Sequence, residues 1–465
     1  MTDSAARRWR LVGAFAHLVV LGAVLWPWIR VADRAVPSIV PVAWPDDARL
    51  LVAEIASALH PRWPGDAFRM PIFHPAPGQL LGTEVLPSSL PLAAPFLAAT
   101  GNATLAASGA ALLGYPLAAV AMDALLLELG CAPFAAWTAG LLFALGPLRV
   151  PGNLQVLQYP NFWFPVVALA LSSLRRRPTA GRAIGAGLAL ALGGLSSLYM
   201  VPMVAICGAT WFAFEALRRT PGRWRFVGGG ALAALMAALP IGLLGWRYAS
   251  HVGTVDPQGV LAGDPDFVAA IGAGMLASAG PLFWVLSLGG LASTLLPRGN
   301  SRRWALAGAV ILSIAGALSL GPRIALGGIS LPGPFALLAA SPLRYFRAPW
   351  RFVVLAGFGG ALLAAAALDA ASRVLGARIG ALAALAVAAT ALAGTRIDSL
   401  GIDRIDGQTN PVYGEVARAA RARGPGPLLE LPIDIGRDAF DGTSRVPVAD
   451  SMVGATRHGL PLAWG

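Results

Sequence analysis

Residues 86–100 read LPSSLPLAAPFLAAT. The stretch is apolar, but it is short and carries Pro87, Pro91 and Pro95. A helix that crosses a bilayer needs about 20 apolar residues, and prolines inside it remove ladder hydrogen bonds. Whether this stretch crosses decides the topology of everything after it, because one added crossing inverts every later loop. We read it as a re-entrant or interfacial segment.

Outward from there, spans are expected near 11–29, 103–128, 133–148, 160–174, 182–197, 201–217, 226–246, 281–297, 304–320, 352–371 and 379–395. That makes about eleven by the length rule. The segments 175–182 (RRRPTAGR), 218–225 (RRTPGRWR), 297–303 (PRGNSRR) and 372–378 (SRVLGAR) are basic and lack acids, as does the patch Arg7, Arg8, Arg10. With eleven spans, all five fall on the cytoplasmic side, in line with the positive-inside rule. The acid-containing segments 30–102 and 248–280 then lie outside, the second as Gly/Pro-rich turns.

Composition agrees. The chain has 465 residues, 56% hydrophobic and 12% charged, about half the charge of a soluble domain. Continuous Ala/Leu/Gly/Val runs exclude a barrel, whose strands alternate. The net charge of +12 comes entirely from arginine, with no lysine in the sequence. It reads as topology, not as a nucleic-acid surface, and the arginine, alanine and glycine excess fits a GC-rich bacterial genome. The expected location is a bacterial inner membrane, multi-pass, with a cytoplasmic N-terminus and an external C-terminus. Cys131 and Cys207 suggest neither a disulfide framework nor a metal site. The apolar start, with no small-residue cleavage site, reads as an uncleaved first helix.

The long loop 30–102 gathers the candidate chemistry: Asp46, Asp47, Glu54, His60, Asp66, His74 and Glu84. Pro45-Asp46-Asp47 precedes ARLLVAEIASALH, where Leu51, Ile55, Ala58 and Leu59 share a helical face. One acid can cap that helix and complement its dipole, most naturally Asp46. Asp47 is then free to act as a general base at the bilayer surface, with Glu54 two turns along. His74, in the Pro-rich IFHP, could orient a phosphate or an acid, or be a plain surface histidine; Glu84 carries a weaker signal. No HExxH, CxxC, nucleophile elbow or phosphate-binding loop occurs. Asn102-Ala103-Thr104 fits a glycosylation sequon that reads as chance.

On the outer side, 321–351 carries Arg323, Arg344, Arg347 and Arg351, against the charge trend. In SPLRYFRAPWRF, arginines beside Tyr345 and Trp350 suit a lipid phosphate, or a snorkelling belt. Residues 1–395 form the membrane domain. Residues 396–465 read as a small external α/β extension that looks cut short, with a helix at PVYGEVARAARARG and a strand at GPLLELPIDIG.

Four short motifs taken together carry a resemblance: IFHP (72–75), FRAPWRF (346–352), LELP (429–432) and HGLPLAWG (458–465), after an acid-opened loop helix. They resemble, in order, a bacterial branch of the GT-C superfamily of polyprenyl-phosphate-sugar-dependent glycosyltransferases. His74 stands where that pattern has an aromatic. The resemblance implies an all-α polytopic membrane fold with a long first outer loop. It implies inverting transfer of one sugar from a lipid-linked phosphate to a glycan, lipid or protein acceptor at the outer membrane face. Asp47 would be the base, with Asp46 in reserve. Arg347 and Arg351 would hold the donor phosphate, Arg344 assisting, and Glu54, His74, Glu84 and Tyr345 would line the substrate site. No metal ligands are assigned and no cofactor is required, although a divalent ion stays open.

Two rivals compete. A lipid or solute transporter would place charges inside its spans; here the spans are nearly free of charge, and Asp123 and Asp369 lie towards span ends. A non-catalytic scaffold would scatter the acids of residues 46–84 over its surface.

Overall fold

The computed structural model describes residues 3–39, 45–59, 86–146, 148, 160–218, 222–252, 265–296, 301–326, 329–339, 348–394 and 400–404, with 415, 418, 419 and 422. The protein is a mostly helical membrane protein. Its helices are α1 (Asp3–Val24), α2 (Trp26–Ile29), α3 (Pro45–Leu59), α4 (Leu90–Thr100), α5 (Ala103–Glu128), α6 (Pro133–Leu145), α7 (Trp163–Arg176) and α8 (Ala180–Gly194). There follow α9 (Met200–Ala216), α10 (Arg223–Val252), α11 (Pro265–Ala277), α12 (Gly280–Ser293), α13 (Ser301–Ser319), α14 (Phe335–Ala339), α15 (Val353–Val374) and α16 (Ala377–Gly394). A 3-10 turn, Pro349–Phe352, leads into α15. Two short antiparallel pairs complete the described elements: β1 (Ala35–Ile39) with β4 (Leu400–Arg404), and β2 (Arg323–Leu326) with β3 (Ile329–Pro332).

Among the described residues, three helices are long and apolar enough to cross a membrane, at 103–128, 223–250 and 349–374. A fourth crossing arises if α11 and α12, bent by 80° between Ala277 and Gly280, form one broken span. The expected count of about eleven is not reached by length. Helices α6, α8, α9 and α16 occupy expected spans but are 13–18 residues long. At 1.5 Å per residue that is roughly 20–27 Å, short of a hydrocarbon core of about 30 Å. Part of the region expected as external turns, 248–280, is helical instead. Pro265 opens α11 over the apolar run FVAAIGAGMLA, and Gly280, at φ +75°, breaks it before Pro281.

Helix α15 is the centre, buried along most of its length and packed by α13, α12, α6 and α16. Close approach comes from small residues. A Cβ on Gly359 would stand 2.6 Å from the Gly308 carbonyl oxygen, and one on Gly290 would stand 2.0 Å from the Leu363 carbonyl oxygen. Helix α10 packs mainly on α8 and leaves Leu235, Leu239, Leu243 and Trp246 exposed, a lipid-suited surface.

Basic segments from distant parts of the sequence meet at one end of this bundle. Glu128, closing α5, pairs with Arg10 of α1 at 3.2 Å and with Arg176 of α7. Arg175 donates to the carbonyls of Glu215 and Arg218, at the end of α9. Asp369 pairs with Arg373, accepts from the Ala132 N–H at 2.9 Å, and Arg373 reaches Ser301 at the start of α13. We call this the arginine end.

The opposite end carries β1. Asn102 holds it by two bonds, donating to the Asp33 carbonyl at 2.6 Å and capping α5 through the Leu105 N–H at 3.0 Å. The sequon asparagine is therefore an N-cap, and Thr104 is buried. Ser108 of α5 donates to the Ala35 carbonyl at 2.7 Å. The β1–β4 pairing, with Ser38 opposite Gly401, brings the chain back to this end after α16. It thus requires an even number of crossings between Ile39 and Leu400.

Helix α4 starts and finishes at the β1 end. Just before its start, Ser88 touches Ser196, which follows α8. Gly101, left-handed at φ +66°, ends it beside Asn102. Its 11 residues span roughly 17 Å, and Phe96 fills the space over Gly109 of α5. The stretch is one short helix with Pro95 inside it, too short by length to cross.

Candidate functional site

The first-loop helix α3 opens at Pro45, so Asp46 and Asp47 sit in its first turn, where a helix dipole favours negative charge. Their side chains lie outside the described residues. Further along, Leu51, Val52, Ala53, Glu54, Ile55 and Ala56 are all buried, and Ala58 and Leu59 half-buried. The expected amphipathic helix is enclosed on every side over those six residues. It packs against α5, α4 and β1. Glu54, 3% exposed, therefore places a carboxyl group inside the protein near the β1 end. A carboxyl is seldom buried unless something needs it.

Across the same end, Arg351 of the 3-10 turn lies over the Tyr199 ring, with its guanidinium carbon 4.2 Å from the centroid. Stacking of this kind fixes the planar group without removing its charge. Tyr199 precedes α9, and its N–H donates to Ser197 Oγ at 3.2 Å. Ser196 Oγ lies 2.5 Å from Ser88 Oγ and donates to the Leu192 carbonyl. That bond uses the Ser196 proton, so the Ser88 hydroxyl is the donor between them. Just before α7, Asn161 is 1% exposed and its Oδ1 has no hydrogen-bond partner among the described residues.

The β1 end thus holds one buried carboxyl, one clamped guanidinium, an amide and a set of hydroxyls. Such groups suit an anion and a polyhydroxylated molecule. Of the expected site residues, Glu54 and Arg351 are placed here, and Asp46 and Asp47 open the helix that carries Glu54. His74, Glu84, Arg344, Tyr345 and Arg347 lie outside the described residues, as do His60 and Asp66. Sequence reasoning missed Tyr199, Ser88, Ser196 and Asn161. Their signal was weak: polar residues beside span ends are common, and only contact between distant segments sets these apart. Among the described residues no group of three or more His, Cys, Asp or Glu could hold a metal ion.

No family model matches the chain, and no curated protein matches it. Among solved structures, the oligosaccharyltransferase of Archaeoglobus fulgidus, crystallised with zinc and sulfate, is similar at a TM-score of 0.36 and 16% identity. The match covers 88% of this chain and 55% of that one, so the chain spans about half the length of that structure. A likeness this loose assigns no activity and no residue.

Proposed function

We propose that this protein is an inverting GT-C-type glycosyltransferase that moves a sugar from a polyprenyl-phosphate donor to an acceptor hydroxyl at the outer membrane face. The observation that supports the reading is that an acid-opened buried helix and an arginine stacked on an aromatic ring lie towards the same end of the bundle. The four sequence motifs add to it. The positive-inside rule assigns the arginine end to the cytoplasm, which turns the β1 end outward.

The chemistry needs little else. Asp47 takes the acceptor hydroxyl proton, with Asp46 in reserve. The acceptor oxygen attacks the anomeric carbon from the face opposite the phosphate, and the carbon–oxygen bond to that phosphate breaks. The leaving group departs as the lipid phosphate, so no strong acid is needed. Fixed cations stabilise the charge it gains: Arg351, joined by Arg347 and Arg344. Glu54, His74, Glu84 and Tyr345 complete the substrate site in this scheme. The polyprenyl tail stays in the bilayer.

Transport is the rival, and it is favoured by one observation, the buried pair His17 and Asp123, 4.0 Å apart. Purified protein in lipid nanodiscs, given a panel of polyprenyl-phosphate sugars and hydroxyl acceptors, separates the two by mass spectrometry. The enzyme reading expects donor consumption with a glycosylated product. It expects Asp47→Asn to lower turnover by about 10²-fold or more. Turnover unchanged in Asp47→Asn would overturn the assignment of the base, and translocation of intact donor without product would overturn the reaction.

A further inference from the structure

Near the arginine end, α1, α5 and α6 close around a polar pair that the proposed transfer does not use. His17 is fully buried, and neither ring nitrogen has a hydrogen-bond partner among the described residues. Its Nε2 faces Asp123 Oδ2 at 4.0 Å, and Asp123, 3% exposed, leaves Oδ1 likewise without a hydrogen-bond partner among the described residues. The imidazole stacks on Trp137, with centroids 5.3 Å apart and planes 19° apart.

The backbone is shaped for these two side chains. A Cβ on Gly13 would stand 3.0 Å from Asp123 Oδ2. One on Gly140 would stand 2.7 Å from the Ala119 carbonyl oxygen and 3.1 Å from the imidazole. Glycine on α1 thus makes room for the carboxyl, and glycine on α6 for the ring. Two helical turns separate His17 from Arg10, which marks the rim. The pair therefore lies roughly 10 Å inside the protein.

Charge decides what the pair can hold. With no proton bound, the aspartate is a lone buried charge. With two, the imidazolium is. With one proton, the pair is neutral overall, either as two neutral groups or as an ion pair. Isolated charge at this depth is costly, so the one-proton state is the one the fold accommodates. The surrounding charges do not alter that count. Arg10 and Arg176 are matched with Glu128, and Asp369 of α15 is matched with Arg373. Arg8 lies beyond Arg10 on α1, α6 brings no charged residue, and Arg378 stands at the start of α16, which packs on α6. We propose that His17 and Asp123 form an intramembrane proton-binding site that holds a single proton between them.

The test is the pH dependence of thermal unfolding of the full-length protein in lipid nanodiscs, for wild type, His17→Leu, Asp123→Asn and the double variant. Above about pH 6.5 the unfolded chain holds no proton on either group. The folded wild type holds one, so its stability falls as pH rises to about 9. His17→Leu leaves a lone carboxyl that folds only with its proton on, and it should fall with pH in the same way. Asp123→Asn folds with a neutral imidazole and the double variant with no titrating group, so neither should lose stability over that interval. We expect the Tm of wild type to drop by about 4 °C more than that of Asp123→Asn. A plain packing role would leave wild type as flat as Asp123→Asn, and that result would overturn the proposal, as would a loss with rising pH in Asp123→Asn. Should His17→Leu fail to fold at any pH, the comparison of wild type with Asp123→Asn decides alone.

Discussion

Arg351 holds its guanidinium carbon 4.2 Å from the centre of the Tyr199 ring. The contact ties the turn before α15, the central helix, to the start of α9. It also sets the orientation of the one proposed phosphate-binding arginine among the described residues. A cation over an aromatic face is worth about 0.5–2 kcal/mol. Tyr199→Leu should lower stability by that order and reduce sugar transfer. Tyr199→Phe keeps the ring and should restore both. Arg351→Lys should lower transfer too, because an ammonium lacks the planar fork. Unfolding midpoints and product formation, measured side by side, check the order.

Ser88 and Ser196 make an asymmetric pair. Ser196 already donates to the Leu192 carbonyl, so it accepts from Ser88. Ser88→Ala leaves Ser196 with its donor bond satisfied and should cost about 0.5–1.5 kcal/mol. Ser196→Ala strands a buried Ser88 hydroxyl and should cost about 1–3 kcal/mol. Denaturant titration of both variants tests the ranking; equal losses would contradict the direction of the bond.

Closing the chain through β1 and β4 predicts a cross-link. Ser38 and Gly401 stand opposite each other in the register, and facing positions in an antiparallel pair lie about 4.5–5.5 Å apart at Cα, within disulfide range. Ser38→Cys with Gly401→Cys should oxidise to a disulfide, seen as a mobility shift reversed by reductant. The native cysteines should not interfere. Both are buried, and burial pushes the Cys131 thiol, in the turn between α5 and α6, well above its ordinary range. Maleimide should label the double variant after reduction and leave the native protein unlabelled.

Two glycines on α13 should respond in opposite ways. A Cβ on Gly308 would stand 2.8 Å from both the Gly359 carbonyl oxygen and Leu362 Cβ, whereas one on Gly316 meets no described residue within 4 Å. Gly308→Ala should cost about 1–3 kcal/mol, because α13 and α15 must move apart. Gly316→Ala should gain up to about 1 kcal/mol through helix propensity. Thermal unfolding in nanodiscs distinguishes them.

Apolar run length located nearly every helix, because a segment that must satisfy its own backbone in lipid leaves an unmistakable composition. The same signal gave about eleven crossings, whereas length and composition together mark three or four among the described residues, since α6, α8 and α9 are apolar without being long. It also missed α11, whose Gly/Pro-rich neighbours read as turns. The site was legible only as chemistry in a loop. Asp46, Asp47 and Glu54 stood out because acids are rare in this chain, and Arg351 because it opposed the charge trend. Tyr199, Ser196 and Asn161 could not stand out, for nothing local distinguishes them from other polar residues at helix ends. His17 was hidden among the apolar residues of its span.

The sequence alone determined that this is a membrane protein with basic segments separated by apolar runs, because hydropathy and charge act residue by residue. Tertiary structure decided which of those segments meet. Glu128 gathers Arg10 and Arg176, β4 returns to β1, and Asp123 finds His17 across a gap left by Gly13. Each depends on helices packing at distances set by small residues far apart in the chain, which no local window of sequence contains.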